Sequence, residues 1–222
     1  MPKVLTSPRS GKHGTTVSFK SAYGQAEWQL AVPRNPSTPA QQKVRSNLGQ
    51  IASRWRGLTD EQRAAWTRAA RKTRSHPRFG QSGALTGCQL FIKINCTLVA
   101  IGAQQVDWPP ELPDFGTNPV GALTITNKAG AIALKLNVSR APACYILVMG
   151  TTPCSADRSR PRRFTILGAL PAPTAGASDI TDLYVAKYGV PPVGTRIFIR
   201  TIQVINGWED QPKDTTAVIP AA

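Results

Sequence analysis

The chain has 222 residues, which suits one large domain or two small ones. Nineteen prolines and eighteen glycines favour many turns over long helices, and a hydrophobic fraction of 41% is sufficient for a core. No run of about 18 apolar residues occurs, so we expect no membrane insertion. The first residues lack an apolar h-region, so we expect cytoplasmic synthesis without a secretory signal. Final location in a virion and export by a non-classical route both stay open.

The net charge of +15 is concentrated in the first 80 residues. Residues 1–80 carry 15 Lys/Arg against three acids, a net charge of +12, whereas residues 81–222 carry 12 against nine, a net charge of +3. Such segregated charge repels itself within the monomer and attracts polyanions or acidic protein faces. The alternative is that it serves solubility alone, for which a net charge of about 2–8 suffices.

Residues 1–37 predict a basic arm that contains a β-hairpin. Two segments alternate with period two around the turn-forming residues 21–25. Val17 and Phe19 share one face, and Trp28, Leu30 and Val32 share another. An isolated hairpin is marginal in water, so we expect this one to add to a sheet of its own chain or of a neighbour.

Residues 38–106 predict a small region of three helices. Thr38 and Pro39 suit the start of the first helix. The stretch Thr59-Asp-Glu-Gln is a capping box that begins the second, and Thr86 is placed to cap the third. The first helix has its apolar side chains at helical spacing, namely Val44, Leu48, Ile51 and Trp55. We predict that Trp55, Leu58 and Trp66 pack the corner between helices one and two, the alternative being base stacking.

Residues 107–121 hold four prolines and predict a semi-rigid linker. Beyond them, residues 122–222 return to period two, with turns at Asn127-Lys-Ala-Gly and Asn206-Gly. Several strands separated by turn residues predict an antiparallel β-sandwich. Residues 178–189 interrupt it as a short helix or a twisted edge segment. The predicted fold class is therefore α+β.

Two resemblances extend this interpretation. The stretch from Leu48 to Lys72 resembles the second helix, the turn and the start of the third helix of an HMG box, which implies DNA binding. The box's first helix does not precede it, although residues 82–93 faintly resemble that helix in a permuted position. The segments Gly11-Lys, Tyr23-Gly-Gln and residues 35–42 and 89–95 are similar to uncharacterised bacterial and prophage-associated proteins. The last hundred residues resemble fibronectin type III or immunoglobulin-like modules, which implies binding or building roles.

Catalytic and metal-binding patterns are missing from the sequence. The two histidines, His13 and His76, sit in cationic segments without a nearby carboxylate in the sequence, and no phosphate-loop or dinucleotide motif occurs. The four cysteines lack zinc spacing, so we expect free thiols in a reducing compartment, with a Cys144–Cys154 bridge as the alternative. We therefore predict no catalytic residues, no metal, no cofactor and no enzyme activity.

The sequence thus predicts a non-enzymatic structural subunit of a phage-like particle or bacterial assembly, which forms homo-oligomers or joins other subunits through its arm. The alternative is a nucleic-acid-binding protein that uses its basic helical region, residues 38–80, and acts without sequence preference. The arm contacts are assigned to Val17, Phe19, Tyr23, Trp28 and Leu30. The partner or polyanion contacts are assigned to Arg54, Arg56, Arg63, Arg68, Arg71, Lys72, Arg74 and Arg78.

Overall fold

The computed structural model describes residues 10–21, 24–32, 37–74, 83–128, 130–161, 163–170 and 175–221. Within these residues the chain is α+β, as predicted, with four helices and antiparallel sheets. It divides into two compact units, Met1–Lys43 and Val44–Ala222.

The first unit contains a three-stranded antiparallel sheet in the order β1-β2-β3. Directly opposed residues of antiparallel strands share a face, and Val17 lies opposite Trp28 in the register of β2 and β3. Val17 and Trp28 therefore lie on one face, rather than on the two faces predicted. The strands are β1 (Gly11–His13), β2 (Thr16–Ser21) and β3 (Gly24–Gln29).

The helices begin where the capping residues predict. Thr59 accepts a hydrogen bond from the backbone N–H of Gln62, whose side chain returns one to the Thr59 N–H, so the predicted capping box is confirmed. Thr86 caps the third helix in the same way, with Gln89 as its counterpart. The helices are α1 (Pro39–Gly57), α2 (Asp60–Ala70), α3 (Gly87–Ala100) and α4 (Thr181–Tyr188).

Two antiparallel sheets make up the C-terminal part of the second unit. One has the order β4-β5-β8, and the other has the order β10-β9-β6-β7, with β11 also paired to β9. The first comprises β4 (Val120–Lys128), β5 (Ala131–Val138) and β8 (Gly176–Asp179). The second comprises β6 (Tyr145–Gly150), β7 (Thr165–Ala169), β9 (Arg196–Ile205), β10 (Trp208–Glu209) and β11 (Lys213–Val218).

The five-stranded sheet is covered on both faces. Its residues Ile146, Val148 and Ile199 join a core with the three-stranded sheet. From its other face, Leu147 and Val204 join a second core with the helices. The second core contains Ile51, Leu58, Trp66, Ala70, Leu90, Phe91, Ile94, Leu98, Ile101 and Trp208. The second unit is thus built of three layers, namely α1–α3, the five-stranded sheet and the three-stranded sheet.

Residues 107–121 differ from the predicted linker because they are tied to the layers on either side of them. The indole N–H of Trp66 donates to the Asp107 carbonyl at 2.7 Å, and that of Trp208 donates to the Pro110 carbonyl at 3.0 Å. Further along, Gln203 Nε2 donates to the Gly116 carbonyl at 2.7 Å. Prolines lack an N–H but keep a carbonyl acceptor, so a proline-rich strip can lie against such donors.

No helix in the part of the chain that the structure describes combines the length and the apolar character needed to cross a membrane.

Candidate interaction surface

The corner between α1 and α2 is built around two tryptophans and a phenylalanine. Trp66 is fully buried, and its ring meets that of Phe91 edge to face at 5.3 Å between centroids. The half-buried Trp55 approaches the same phenylalanine at 5.4 Å, and Leu58 is buried in the turn. Aromatic pairs in this range add to the stabilisation from burial. The structure therefore uses the corner residues Trp55, Leu58 and Trp66 for packing.

Arg63, one of the predicted partner-binding cations, is engaged by the fold. Its guanidinium donates to the Arg56 carbonyl at 2.7 Å and pairs with Asp60 at 3.0 Å. The carbonyls at the end of α1 have no partner within the helix and carry partial negative charge, which a guanidinium stabilises. Arg63 therefore fixes the end of α1 against the start of α2.

Arg54, a second predicted partner-binding cation, contacts the segment after α3. Its Nε lies 2.6 Å from Asp107 Oδ1, and its Nη1 lies 3.3 Å from Gln105 Oε1. The hydrogen bond to Asp107 raises the pKa of Arg54, and the same bond holds the pKa of Asp107 below its usual value. Both side chains are 39% exposed, so the pair contributes about 0.2–1 kcal/mol after solvent screening.

The remaining described cations of the predicted set form what we call the basic surface: Arg56, Arg68, Arg71, Lys72 and Arg74. All five are exposed, and none takes part in an ion pair with another described residue. Arg68 lies on the side of α2 opposite the buried Trp66 and Ala70, and Arg71 is the C-cap of that helix. Arg78 lies outside the described residues. The basic surface is thus available for contacts with other molecules.

The predicted arm contacts lie in or beside the sheet of the first unit. Phe19 and Trp28 approach to 4.5 Å between ring centroids, and Trp28 is 49% exposed. Val17 and Leu30 are half-buried, and Tyr23 lies outside the described residues. The fully buried residues among those described in this sheet are small, namely Ser18 and Ala26. Its larger apolar side chains are therefore half-buried or, for Trp28, exposed.

The apolar stripe of α1 changes from exposed to buried along the helix. Val44 and Leu48 are 68% and 46% exposed, whereas Ile51 is fully buried in the core of the second unit. Of the predicted apolar stripe, only the second half of α1 therefore contributes to the core. The first half adds exposed apolar surface.

The described titratable groups do not converge on a reactive centre. Within the described ranges, no group of three or more His, Cys, Asp or Glu side chains could hold a metal ion. His13 is exposed, and His76 lies outside the described residues. The four cysteines are free. Burial raises the pKa of Cys96 and of Cys144, which disfavours the reactive thiolate.

Sequence reasoning missed the residues that tie the layers together. Asp107 looked like part of a solvated linker, but it pairs with Arg54 from 53 positions earlier. Asn95 is fully buried, and its side chain exchanges hydrogen bonds with the backbone of Val106. No local spacing indicates either contact. A buried asparagine on the apolar face of a predicted helix was the available signal, because such a group needs partners.

Comparisons of the chain with models of known protein families, with curated proteins and with solved structures find no match. The resemblances to the HMG box, to prophage-associated proteins and to fibronectin type III modules therefore stay predictions.

Proposed function

We propose that this protein is a non-enzymatic structural subunit of a phage-like particle or bacterial assembly, without cofactor, and that it self-associates through its N-terminal arm. The observation that carries the proposal is the poorly covered sheet of the first unit. A three-stranded sheet needs a buried apolar face to be stable, yet among the described residues of this one only Ser18 and Ala26 are fully buried. Its aromatic pair Phe19 and Trp28 lies on a face that a neighbouring subunit would cover.

The edges of this sheet favour a second copy of the chain as that neighbour. An edge strand pairs readily with another chain unless charged residues, lysine above all, protect it. Strand β1 carries Lys12 and His13, whereas β3 carries no cation and one acid, Glu27. The less protected edge is therefore β3. Strand addition between the β3 edges of two copies is self-complementary and closes about a two-fold axis.

The strand order of the second unit supports the sandwich part of the proposal. When seven strands are lettered A to G in chain order with β10 left out, one sheet is A-B-E and the other is G-F-C-D. Immunoglobulin-type sandwiches likewise set A, B and E against C, F and G. Here the fourth strand pairs with the third, as β7 pairs with β6. This architecture hosts many different functions, so its agreement with a subunit displaying this domain is one of fold-level analogy.

Light scattering after size exclusion tests self-association with two matched variants. Trp28→Ala removes an arm side chain that is 49% exposed, and Trp108→Ala removes one outside the arm that is 50% exposed. Covering the exposed half of a tryptophan contributes about 1–2 kcal/mol, and both copies of a two-fold dimer lose it, so Trp28→Ala should weaken association about a hundredfold. Trp108→Ala should leave it unchanged. A wild-type chain that stays monomeric at high concentration, or equal losses in both variants, would refute the proposal.

A second candidate function, nucleic-acid binding without sequence preference, is favoured by the basic surface. Five exposed cations without ion pairs to described residues can each neutralise a phosphate. With about five contacts, the slope of log K against log salt is about −4.5, so affinity for duplex DNA should fall roughly 500-fold between 50 and 200 mM salt.

Electrophoretic mobility shifts at several salt concentrations measure that slope. Each of Arg68→Ala and Arg71→Ala should reduce its magnitude by about one. The matched control is Arg63→Ala, whose guanidinium already binds the end of α1 and should alter stability more than the slope. Absence of any shift at low salt would remove this candidate.

A further inference from the structure

A cavity of about 360 Å³ opens beside the end of β6, and none of the basic-surface cations lines it. The chain leaves β6 at Gly150 and passes through residues 151–164 before it enters β7. The described residues of this loop and Tyr188 of α4 enclose the space. The described lining residues are Thr151, Thr152, Cys154, Arg158, Pro161, Arg163, Thr165 and Tyr188.

The loop is held in place by the start of β9. Cys154 and Arg196 exchange two backbone hydrogen bonds, of 3.0 and 2.8 Å. The Arg196 side chain then donates from Nε to the Ala156 carbonyl at 2.6 Å. A turn follows, in which the Arg158 N–H donates to the Ser155 carbonyl at 3.1 Å. These contacts shape the first half of the cavity wall without help from a ligand.

The loop carries an excess of positive charge, part of which is not neutralised by ion pairs with described residues. Residues 155–164 hold four arginines against one acid, Asp157. Nearby Arg200 pairs with Asp214 at 2.7 Å and stacks over Phe164. Of the two arginines that line the cavity, Arg163 is exposed and Arg158 is half-buried, and neither takes part in an ion pair with another described residue.

Hydroxyl groups complete the wall, and none of the described lining residues is a carboxylate. Thr151 is 5% exposed, and its oxygen accepts from the Phe198 N–H at 3.3 Å, which leaves its O–H proton to donate. Thr152 and Thr165 bring further hydroxyls, while the Tyr188 O–H is directed to the Gly150 carbonyl at 3.0 Å. A wall of guanidinium and hydroxyl donors selects an anion rather than a cation.

We propose that this cavity binds a phosphate group, carried by a small phosphomonoester or as the free ion. Guanidinium groups match the oxygens of a phosphate in bidentate geometry, and two of them offset its double negative charge. A volume of about 360 Å³ lies at the lower end of the range for small-molecule pockets, which suits a small ligand rather than a polymer.

Calorimetric titration of the full chain with inorganic phosphate, ribose 5-phosphate, acetate and a short oligothymidylate tests the site and separates the sources of phosphate. We expect phosphate or ribose 5-phosphate to bind and acetate to bind at least tenfold more weakly. Removing either arginine, by Arg158→Ala or Arg163→Ala, should weaken binding tenfold or more. The substitution Lys128→Ala removes the same charge from β4, outside the cavity, and should leave phosphate binding unchanged. No binding, equal binding of acetate, or binding of the oligonucleotide alone would overturn the proposal.

Alkylation of the wild-type protein provides a readout that does not depend on whether variants fold. Cys154 lines the cavity, whereas Cys88 does not. Phosphate should slow the labelling of Cys154, measured by peptide mass spectrometry, and leave that of Cys88 unchanged. Equal rates at Cys154 with phosphate and with sodium chloride of matched ionic strength would contradict the site.

Discussion

The contact between α3 and the proline-rich segment offers a sharp test of how the second unit is joined. Asn95 is fully buried on α3, and its side chain makes three hydrogen bonds. Nδ2 donates to the carbonyls of Phe91 and Val106, at 3.1 and 3.2 Å, and Oδ1 accepts from the Val106 N–H at 2.9 Å. The substitution Asn95→Ala would remove all three.

The expected cost follows from the groups left behind. Each part-buried backbone group of Val106 that loses its partner costs about 1 kcal/mol or more. Alanine recovers a few tenths of a kcal/mol through its higher helix propensity. We therefore expect Asn95→Ala to lower the free energy of unfolding by about 2–3 kcal/mol.

Urea unfolding followed by circular dichroism measures this loss as a lower midpoint at an unchanged m value. Asn47→Ala is the matched control, because Asn47 is a half-buried asparagine on α1, and it should change stability by less than about 0.5 kcal/mol. If both substitutions cost the same small amount, residues 103–110 are not held by α3. The description of residues 103–110 as a segment docked on α3 would then be refuted.

Two further predictions concern the helices. Gly87→Ala should destabilise the protein by about 1–3 kcal/mol, because a Cβ there would lie 2.7 Å from Thr67 Oγ1 and 2.9 Å from the Thr67 backbone nitrogen. Gly49→Ala should stabilise the protein by about 0.5–1 kcal/mol, because the space around Gly49 is open. Thermal unfolding compares the two variants. Arg54→Gln should cost about 0.2–1 kcal/mol at neutral pH. Because Arg54 lowers the pKa of Asp107, the stability difference between the wild type and Arg54→Gln should be complete above the usual aspartate pKa of 3.8. It should vanish as the pH falls through the lowered pKa of Asp107. A stability difference that persists in acid would contradict the ion pair.

Features with local causes were predictable from the sequence. The capping box of Thr59 and Gln62 depends on residues three apart, so its spacing alone indicates where α2 begins. The turn at Asn206 and Gly207 has positive φ at both residues, 50° and 83°, a conformation that this dipeptide favours. Such elements need no knowledge of distant parts of the chain.

The layer arrangement could not be predicted because it depends on contacts far apart in the sequence. Alternation in β6 suggests one buried face, but Ile146, Leu147 and Val148 are all buried, since helices cover the second face. The prolines of residues 107–121 indicate an extended segment equally well for a free spacer and for a strip docked on a core. The structure distinguishes the two through the indoles of Trp66 and Trp208.

The sequence predicts where the charges of the candidate surfaces lie along the chain, but not which of those charges the fold engages. The cations of residues 38–80 predicted a basic region, yet which of them the fold engages depends on Asp107 and on the end of α1. The arginines of residues 155–164 were visible in the sequence as well. The net charge of a long segment does not reveal them, because other acids in residues 81–222 mask this local excess.

Hydrogen exchange across β3 at two protein concentrations tests the central claim most directly. If the β3 edges of two copies pair, backbone amides within Gly24–Gln29 should gain protection as concentration rises, while those of β1, with its lysine-bearing edge, should not. Exchange in β3 that stays fast and independent of concentration would contradict assembly through this edge.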